Sequence, residues 1–505
     1  MLKYPIGIQD FESLRAGGYV YVDKTIFIEK LLKTGKTFFL SRPRRFGKSL
    51  FLNTLKYFFL GRKDLFAGLY IENQVTEIRP VIHLDFSNES WKVTGLRQHI
   101  EDILTEEAQK IGVELENKGL GSKFQQLILS HKQKPVILID EYDKPILHFI
   151  GVDNARANEN REIMREFYSI LKPLDANIHF LFITGITRFS KASLFSDLNH
   201  LSDLTINEDF ATICGYTSDE LNNTFIEEIE TLSKRNEINL NLFQEKIREW
   251  YNGYRWHWRS PKVYNPFSIL NFLGGQGDFQ NYWFASGLPT FLINTINVNG
   301  DYDFEEIEVP ETLLNNFSIE KLNSITLMFQ AGYLTIKDFK DSLYTLVYPN
   351  REVKNSLLEA ILADKSQDDL ILPAIVKLRN YFENRQEKEI RKTFDTLFAK
   401  IPYQIFNEKY EFYYHSILVV AMQLLGCYID AEVSVNDGRI DAVVKTKNYI
   451  YIIEFKVDQS AGIALDQIKE NTYYRSYQSE NKQVLLMGVN FMEKKVESFV
   501  VEELS

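Results

Sequence analysis

A chain of 505 residues is too long for one ordinary domain, and its length sets an expectation of three. Its 45% hydrophobic and 25% charged content is that of a globular protein, and no apolar run reaches the roughly 18 residues of a membrane-spanning helix. The net charge of −11 argues against a general nucleic-acid coat protein but leaves room for a local basic groove.

The opening residues, MLKYPIGIQDFESL, lack the charged-then-apolar layout of a secretion signal. Cys214 and Cys427 lie far apart beside apolar residues and match no metal spacing. A cytoplasmic protein with reduced core cysteines and no membrane contact is therefore expected. The 37 Phe and 27 Tyr read as large cores more than as stacking platforms.

Residues 37–59 read strand, tight basic loop, helix. Thr37 to Leu40 is a short apolar run, and Phe46-Gly47-Lys48-Ser49 opens a helix carrying Leu50, Phe51, Leu55 and Phe58. This is the setting of a phosphate-binding loop, in which backbone N–H groups and a helix N-terminus face an anion. Lys48 would reach the β- and γ-phosphates of ATP, and the Ser49 hydroxyl would ligate Mg²⁺. Arg44, Arg45, Phe46 and Gly47 would line the cradle. The pattern GxxxxGK[ST] wants Gly where this chain has Arg42, and a surface turn with a chance Gly-Lys-Ser is the alternative. The Arg42, Arg44, Arg45 cluster suits phosphate or DNA, or equally a set of salt bridges.

Pro135 to Ile139 form a second apolar strand ending in Asp140 and Glu141. Asp140 would hold Mg²⁺ and Glu141 would orient and deprotonate the attacking water. A third strand, Ile178 to Ile183, ends in Thr184, a candidate γ-phosphate sensor, and Arg188, a weaker one. Strands at 36–41, 80–85, 135–140 and 178–184 alternate with helical stretches near 48–60, 96–112 and 160–172, which predicts a parallel sheet with helices on both faces. The turn-rich segment at 5–25, with Gly7, Gly17 and Gly18, would either cover the adenine or ribose or supply a strand closing this domain.

Residues 215–400 read as a mainly helical middle region, with aromatic motifs WYNGYRW and VYNPFSILNFL expected to pack against the first domain. From 401 an α/β module follows: a helix near 411–425, strands at 439–445 and 449–456, a helix near 461–474 and a strand at 483–490. A two-residue turn at Lys447-Asn448 would place Asp441 directly opposite Glu454, with Lys456 on the same face. Two carboxylates so close suit a Mg²⁺ or Mn²⁺ ion, and Lys456 would orient water or stabilise charge on phosphorus. Glu411 would add a further oxygen ligand or a base. Gln467 and Tyr473 would reach the scissile strand. An ordinary cross-strand charge pair is the alternative.

These motifs in this order resemble the bacterial AAA-ATPase-like proteins that carry a C-terminal PD-(D/E)XK nuclease-like domain. The resemblance covers nearly the whole chain, from PIGIQDFESLRAGGYVYVDKT and RPRRFGKS through LIDEYDKP and WYNGYRW to EFYYHS, GRIDAVV, YIIEFK and ALDQIKENTYY. It implies a P-loop ATPase domain at 1–214, the helical region at 215–400 and a nuclease-like domain at 401–505. It also implies that Arg42 is typical of the family's loop and that Asp441, Glu454 and Lys456 occupy catalytic positions, with Glu411 on the leading helix. The expectation is an ATP-hydrolysing protein fused to a Mg²⁺-dependent nuclease acting on DNA, with RNA also open. The rival is a nucleotide-dependent switch whose C-terminal module binds without cutting. Oligomeric state is left open, because Arg188 could act within one subunit or across a ring.

Overall fold

The computed structural model describes residues 2–74, 78–116, 118–188, 201–284, 292–293, 295–296, 304–315, 323–366, 371–399, 410–426, 430–433, 441–492 and 495–504. The chain forms two compact units, one of residues 1–295 with 305–352, the other of 296–304 with 353–505.

The first unit is built on five strands: β1 (Thr37–Ser41), β2 (Val81–Asp85), β3 (Val136–Asp140), β4 (Phe180–Gly185) and β5 (Ser202–Asp203). They lie in the order β2-β3-β4-β1-β5, and every pairing is parallel. Strands β1, β3 and β4 are buried along their full length, which is why their sequences are continuous apolar runs rather than alternating ones. Helices Lys48–Phe59, Leu96–Lys110 and Asn154–Tyr168 run between them. The parallel arrangement brings Ser41, Asp85, Asp140 and Gly185 to one edge, where open α/β sheets bind ligands.

Helices Ser218–Arg235, Leu240–Tyr251 and Pro266–Gly274 meet through Phe225, Ile229, Phe243, Ile247, Tyr251, Ile269 and Phe272. The first of them starts at a full capping box between Thr217 and Glu220. The region expected to be mainly helical also holds a three-stranded antiparallel sheet, β6 (Ile307–Pro310), β7 (Thr335–Lys340) and β8 (Leu343–Val347), in the order β6-β8-β7. These strands are short, and polar residues interrupt their apolar ones, so their sequence periodicity is weak.

The second unit carries a five-stranded mixed sheet: β9 (Asp430–Val433), β10 (Ala442–Lys445), β11 (Tyr449–Val457), β12 (Gln483–Met492) and β13 (Lys495–Glu503), in the order β13-β12-β11-β10-β9. Helix Ala461–Glu470 makes the crossover between the parallel neighbours β11 and β12. It packs through Leu465 and Ile468 on Ile450, Ile452, Val484 and Leu486. A Cβ on Gly488 would lie 2.2 Å from the Ala461 carbonyl oxygen, so only glycine lets this helix start so close to β12. Strands β9 and β13 are additions to the expected set.

Candidate functional site

In the first unit the loop after β1 closes on itself. Gly47 caps the helix Lys48–Phe59 with φ of +92°, a conformation that favours glycine. The Lys48 ammonium, buried, donates to the carbonyl oxygens of Arg42 and Pro43, both at 2.9 Å. Burial pulls its pKa down, and the charges of Glu141 and Asp140 oppose that.

Arg42 has its side chain in the core instead of the cleft. It is fully buried, its guanidinium donates to the carbonyls of Ser41, Thr205 and Phe210, and it lies 4.6 Å from the centre of the Trp256 ring. Burial lowers its pKa to about 10. Its backbone is outside the left-handed region, so nothing here demands the glycine of the common pattern. Phe46 is also core, edge-on to Tyr254 and Trp256 with ring centres 4.6 and 5.7 Å away. The motif at 250–256 thus supports the loop from behind. Arg45 has φ of +65° and sets its guanidinium 4.8 Å from the Phe267 ring, while the Arg44 carbonyl accepts from the Trp283 indole at 3.1 Å.

At the end of β3, Asp140 is buried and accepts from the Thr184 hydroxyl and from the Ser49 side chain. Burial raises its pKa, which those two bonds and the Lys48 charge oppose. Glu141 follows with φ of +50°, a strained conformation for a non-glycine residue, and pairs with Lys144 at 3.3 Å. Arg188 is held by Asp203 at 2.6 Å, both nearly buried. It does not line the cleft described next.

That cleft, about 780 Å³, opens at the carboxyl edge of the sheet. Arg44, Arg45, Gly47, Lys48, Ser49 and Glu141 line its polar floor. Ile6, Ile8, Tyr216, Phe267 and Leu270 make one wall apolar. Residues 5–9 therefore border the cleft, whereas Tyr19 to Thr25 form no strand, and Lys24 is instead bonded to Glu220 at 2.7 Å.

In the second unit the β10–β11 register pairs Ala442 with Ile453, and Thr446 N–H donates to the Tyr449 carbonyl across Lys447-Asn448. One step on, Asp441 stands opposite Glu454, and its carboxylate accepts from Phe455 N–H at 2.8 Å. Alternation puts Glu454 and Lys456 on the face of Ile450 and Ile452, beneath the crossover helix. Glu454 is 2% exposed, and Lys456 Nζ is 3.1 Å from its Oε1. Burial, then the charge of Asp441, raises the Glu454 pKa to about 7, against the pull of Lys456. Its Oε2 is buried and has no partner among the described residues.

Glu411 lies on helix Tyr410–Gly426, but its side chain is outside the described residues, as is Cys427. Gln467 is on the crossover helix, and Tyr473 packs on the apolar cluster of that helix. No group of three or more His, Cys, Asp or Glu suited to a metal occurs among the described residues. No described helix is long and apolar enough to cross a membrane.

A family model described as a predicted AAA-ATPase matches residues 5–195, and one described as the PD-(D/E)XK nuclease superfamily matches 409–500. An uncharacterized protein from the vnfD 5′ region of Azotobacter chroococcum mcd 1 is 35% identical over 99% of both chains. The chain belongs to this AAA-ATPase-like family with a PD-(D/E)XK nuclease-superfamily domain. No solved structure matches it.

Within this family frame, the nuclease-superfamily match takes in Asp441, Glu454 and Lys456, and the ATPase match takes in the whole loop of residues 42–49. Asp143 was not singled out by the sequence. It is buried and accepts from Ile186 N–H, Thr187 N–H and the Thr187 hydroxyl, tying the end of β3 to the end of β4. Its nearness to Asp140 in LIDEYDKP was the available hint. Asp85, in register with Asp140 and raising its pKa, was also missed, because it ends a strand without a motif around it.

Proposed function

We propose that the first unit binds and hydrolyses ATP and that the second cleaves a DNA phosphodiester with Mg²⁺, Mn²⁺ also serving, ATP governing cleavage. The observation that carries the nuclease reading is the buried Oε2 of Glu454, beside Asp441 and Lys456 and without a partner among the described residues. A buried carboxylate oxygen with no donor is costly unless a proton or a cation satisfies it. A hard divalent ion fits that oxygen together with Asp441, and when bound it would supply positive charge at the scissile phosphate. Water adds to phosphorus while the bond to the leaving oxygen breaks. Lys456 holds charge on the phosphate oxygens or orients that water.

In the first unit, Lys48 would leave the Arg42 and Pro43 carbonyls for the β- and γ-phosphates. Ser49 and Asp140 would hold Mg²⁺, Glu141 would take a proton from water, and Thr184 would sense the γ-phosphate through Asp140. The base would rest on the apolar wall at Ile6, Ile8 and Phe267. The cleft volume suits a nucleotide-sized ligand.

The test is plasmid cleavage by the full chain with Mg²⁺ or Mn²⁺, with and without ATP. Asp441→Ala should abolish cleavage and leave ATP turnover unchanged. Cleavage that survives Asp441→Ala removes the hairpin from the reading.

A further inference from the structure

Residues 255–262, RWHWRSPK, lie alongside strand β7 in the first unit. Arg255 N–H donates to the Thr335 hydroxyl at 2.7 Å, and its Nε donates to the Ile336 carbonyl at 3.0 Å. Strand β7 is the outer strand of its sheet, and its register against β8 shifts between Ile336 and Asp338, leaving Lys337 as the extra residue. These two segments, far apart in sequence, carry Arg255, Arg259, Lys262, Lys337 and Lys340, of which the last four are exposed, and Lys262 lies within charge-interaction range of Arg255 and Lys337.

The counter-charge is incomplete. Lys337 pairs with Glu306, Glu208 lies 3.8 Å from His257 and 3.9 Å from Arg259, and Asp338 acts on Arg255. Lys262 and Lys340 form no ion pair among the described residues, although the exposed Asp341 follows Lys340 in the chain. The Lys262 side chain is exposed, yet desolvation by neighbouring groups, then the like charges of Arg255 and Lys337, pulls its pKa down. Such crowding costs folding energy, in a chain whose net charge is −11.

Aromatic rings interleave with these cations. Trp258 and Phe339 have ring centres 6.2 Å apart, Arg259 lies 4.5 Å from the Trp258 ring centre, and Phe339 contacts Tyr344 at 4.4 Å. Cations set among aromatic faces are the equipment for a single strand, whose phosphates meet the charges and whose bases stack. A duplex offers only phosphates here, because its bases are already stacked on each other.

We propose that the surface formed by residues 255–262 and β7 binds single-stranded nucleic acid. None of these residues lines the nucleotide-sized cleft, and the Asp441–Glu454 hairpin belongs to the other unit; the proposal stands whether or not either site is catalytic.

The test is fluorescence anisotropy of the full chain with a labelled single-stranded oligonucleotide of about 20 nucleotides, in EDTA so that no metal-dependent cleavage occurs. Lys262→Glu combined with Lys340→Glu should weaken binding about tenfold and flatten its salt dependence. Trp258→Ala should weaken it about tenfold with the salt slope unchanged. ATP turnover and melting temperature serve as folding controls. If the double variant melts early, Lys340→Glu alone, at an exposed position, should still reduce affinity. Wild-type affinity in these variants overturns the proposal. So does polyglutamate or duplex DNA competing as well as the single strand, and so does a loss confined to Asp441→Ala.

Discussion

At the residue scale, Arg42 shows how a broken motif is compensated. The glycine of the common pattern is replaced by an arginine whose side chain goes into the core and whose backbone needs no unusual angle. Arg42→Gly would restore the pattern yet remove charged hydrogen bonds to Thr205 and Phe210 and leave a cavity beside Trp256. A loss of about 3 kcal/mol in stability is expected, read by denaturant unfolding. Lys48→Ala should instead leave stability near wild type while lowering ATP hydrolysis at least about a hundredfold, a loss of phosphate charge stabilisation. Glu454 carries the matching prediction in the other unit. Calorimetry with Mn²⁺ on the full chain should show a site that Glu454→Ala removes; an unchanged isotherm would take the metal elsewhere.

At the element scale, the β10–β11 hairpin converts turn length into chemistry. A two-residue turn sets the register, and the register sets which carboxylates face each other. One residue inserted beside Asn448 should move Asp441 off the Glu454 face and abolish any metal-dependent cleavage without unfolding the sheet. Gly488→Val should act differently: it pushes the crossover helix off β12 and should lower the melting temperature. Around the phosphate loop, Glu352 joins three elements. Its carboxylate accepts from Ser268 on helix Pro266–Gly274 and from Trp283 N–H, each at 2.7 Å, and the Trp283 indole in turn bonds the Arg44 carbonyl. Burial raises its pKa from 4.5 to about 7. Between those values the folded chain keeps a proton that the unfolded chain gives up, so stability falls as pH rises through that window, by roughly 3 kcal/mol in full. Glu352→Gln should flatten this pH dependence in thermal melts.

At the scale of the whole molecule, two units that each carry a charged site share one chain. If ATP governs cleavage, Lys48→Ala should change the ATP response of plasmid cleavage while Asp441→Ala leaves ATP turnover intact. Equal cleavage with and without ATP in the wild type would separate the two activities. Much of this was legible in the sequence. Continuous apolar strands and a Gly-Lys-Ser helix start announce a parallel sheet and its loop, because buried strands must be apolar throughout. Alternation and a short turn predict the pairing of Asp441 with Glu454, because side-chain direction repeats every two residues. Such local rules need only neighbouring residues, and they determined the fold class, the strand-loop-helix at residues 37–59 and the hairpin register. Only the tertiary structure decided where Arg42 points, that Asp143 ties two strand ends together, that Glu352 reaches the loop, and that residues 255–262 meet β7. Each of these joins residues distant in sequence, and burial and charge crowding exist only once the chain has closed upon itself.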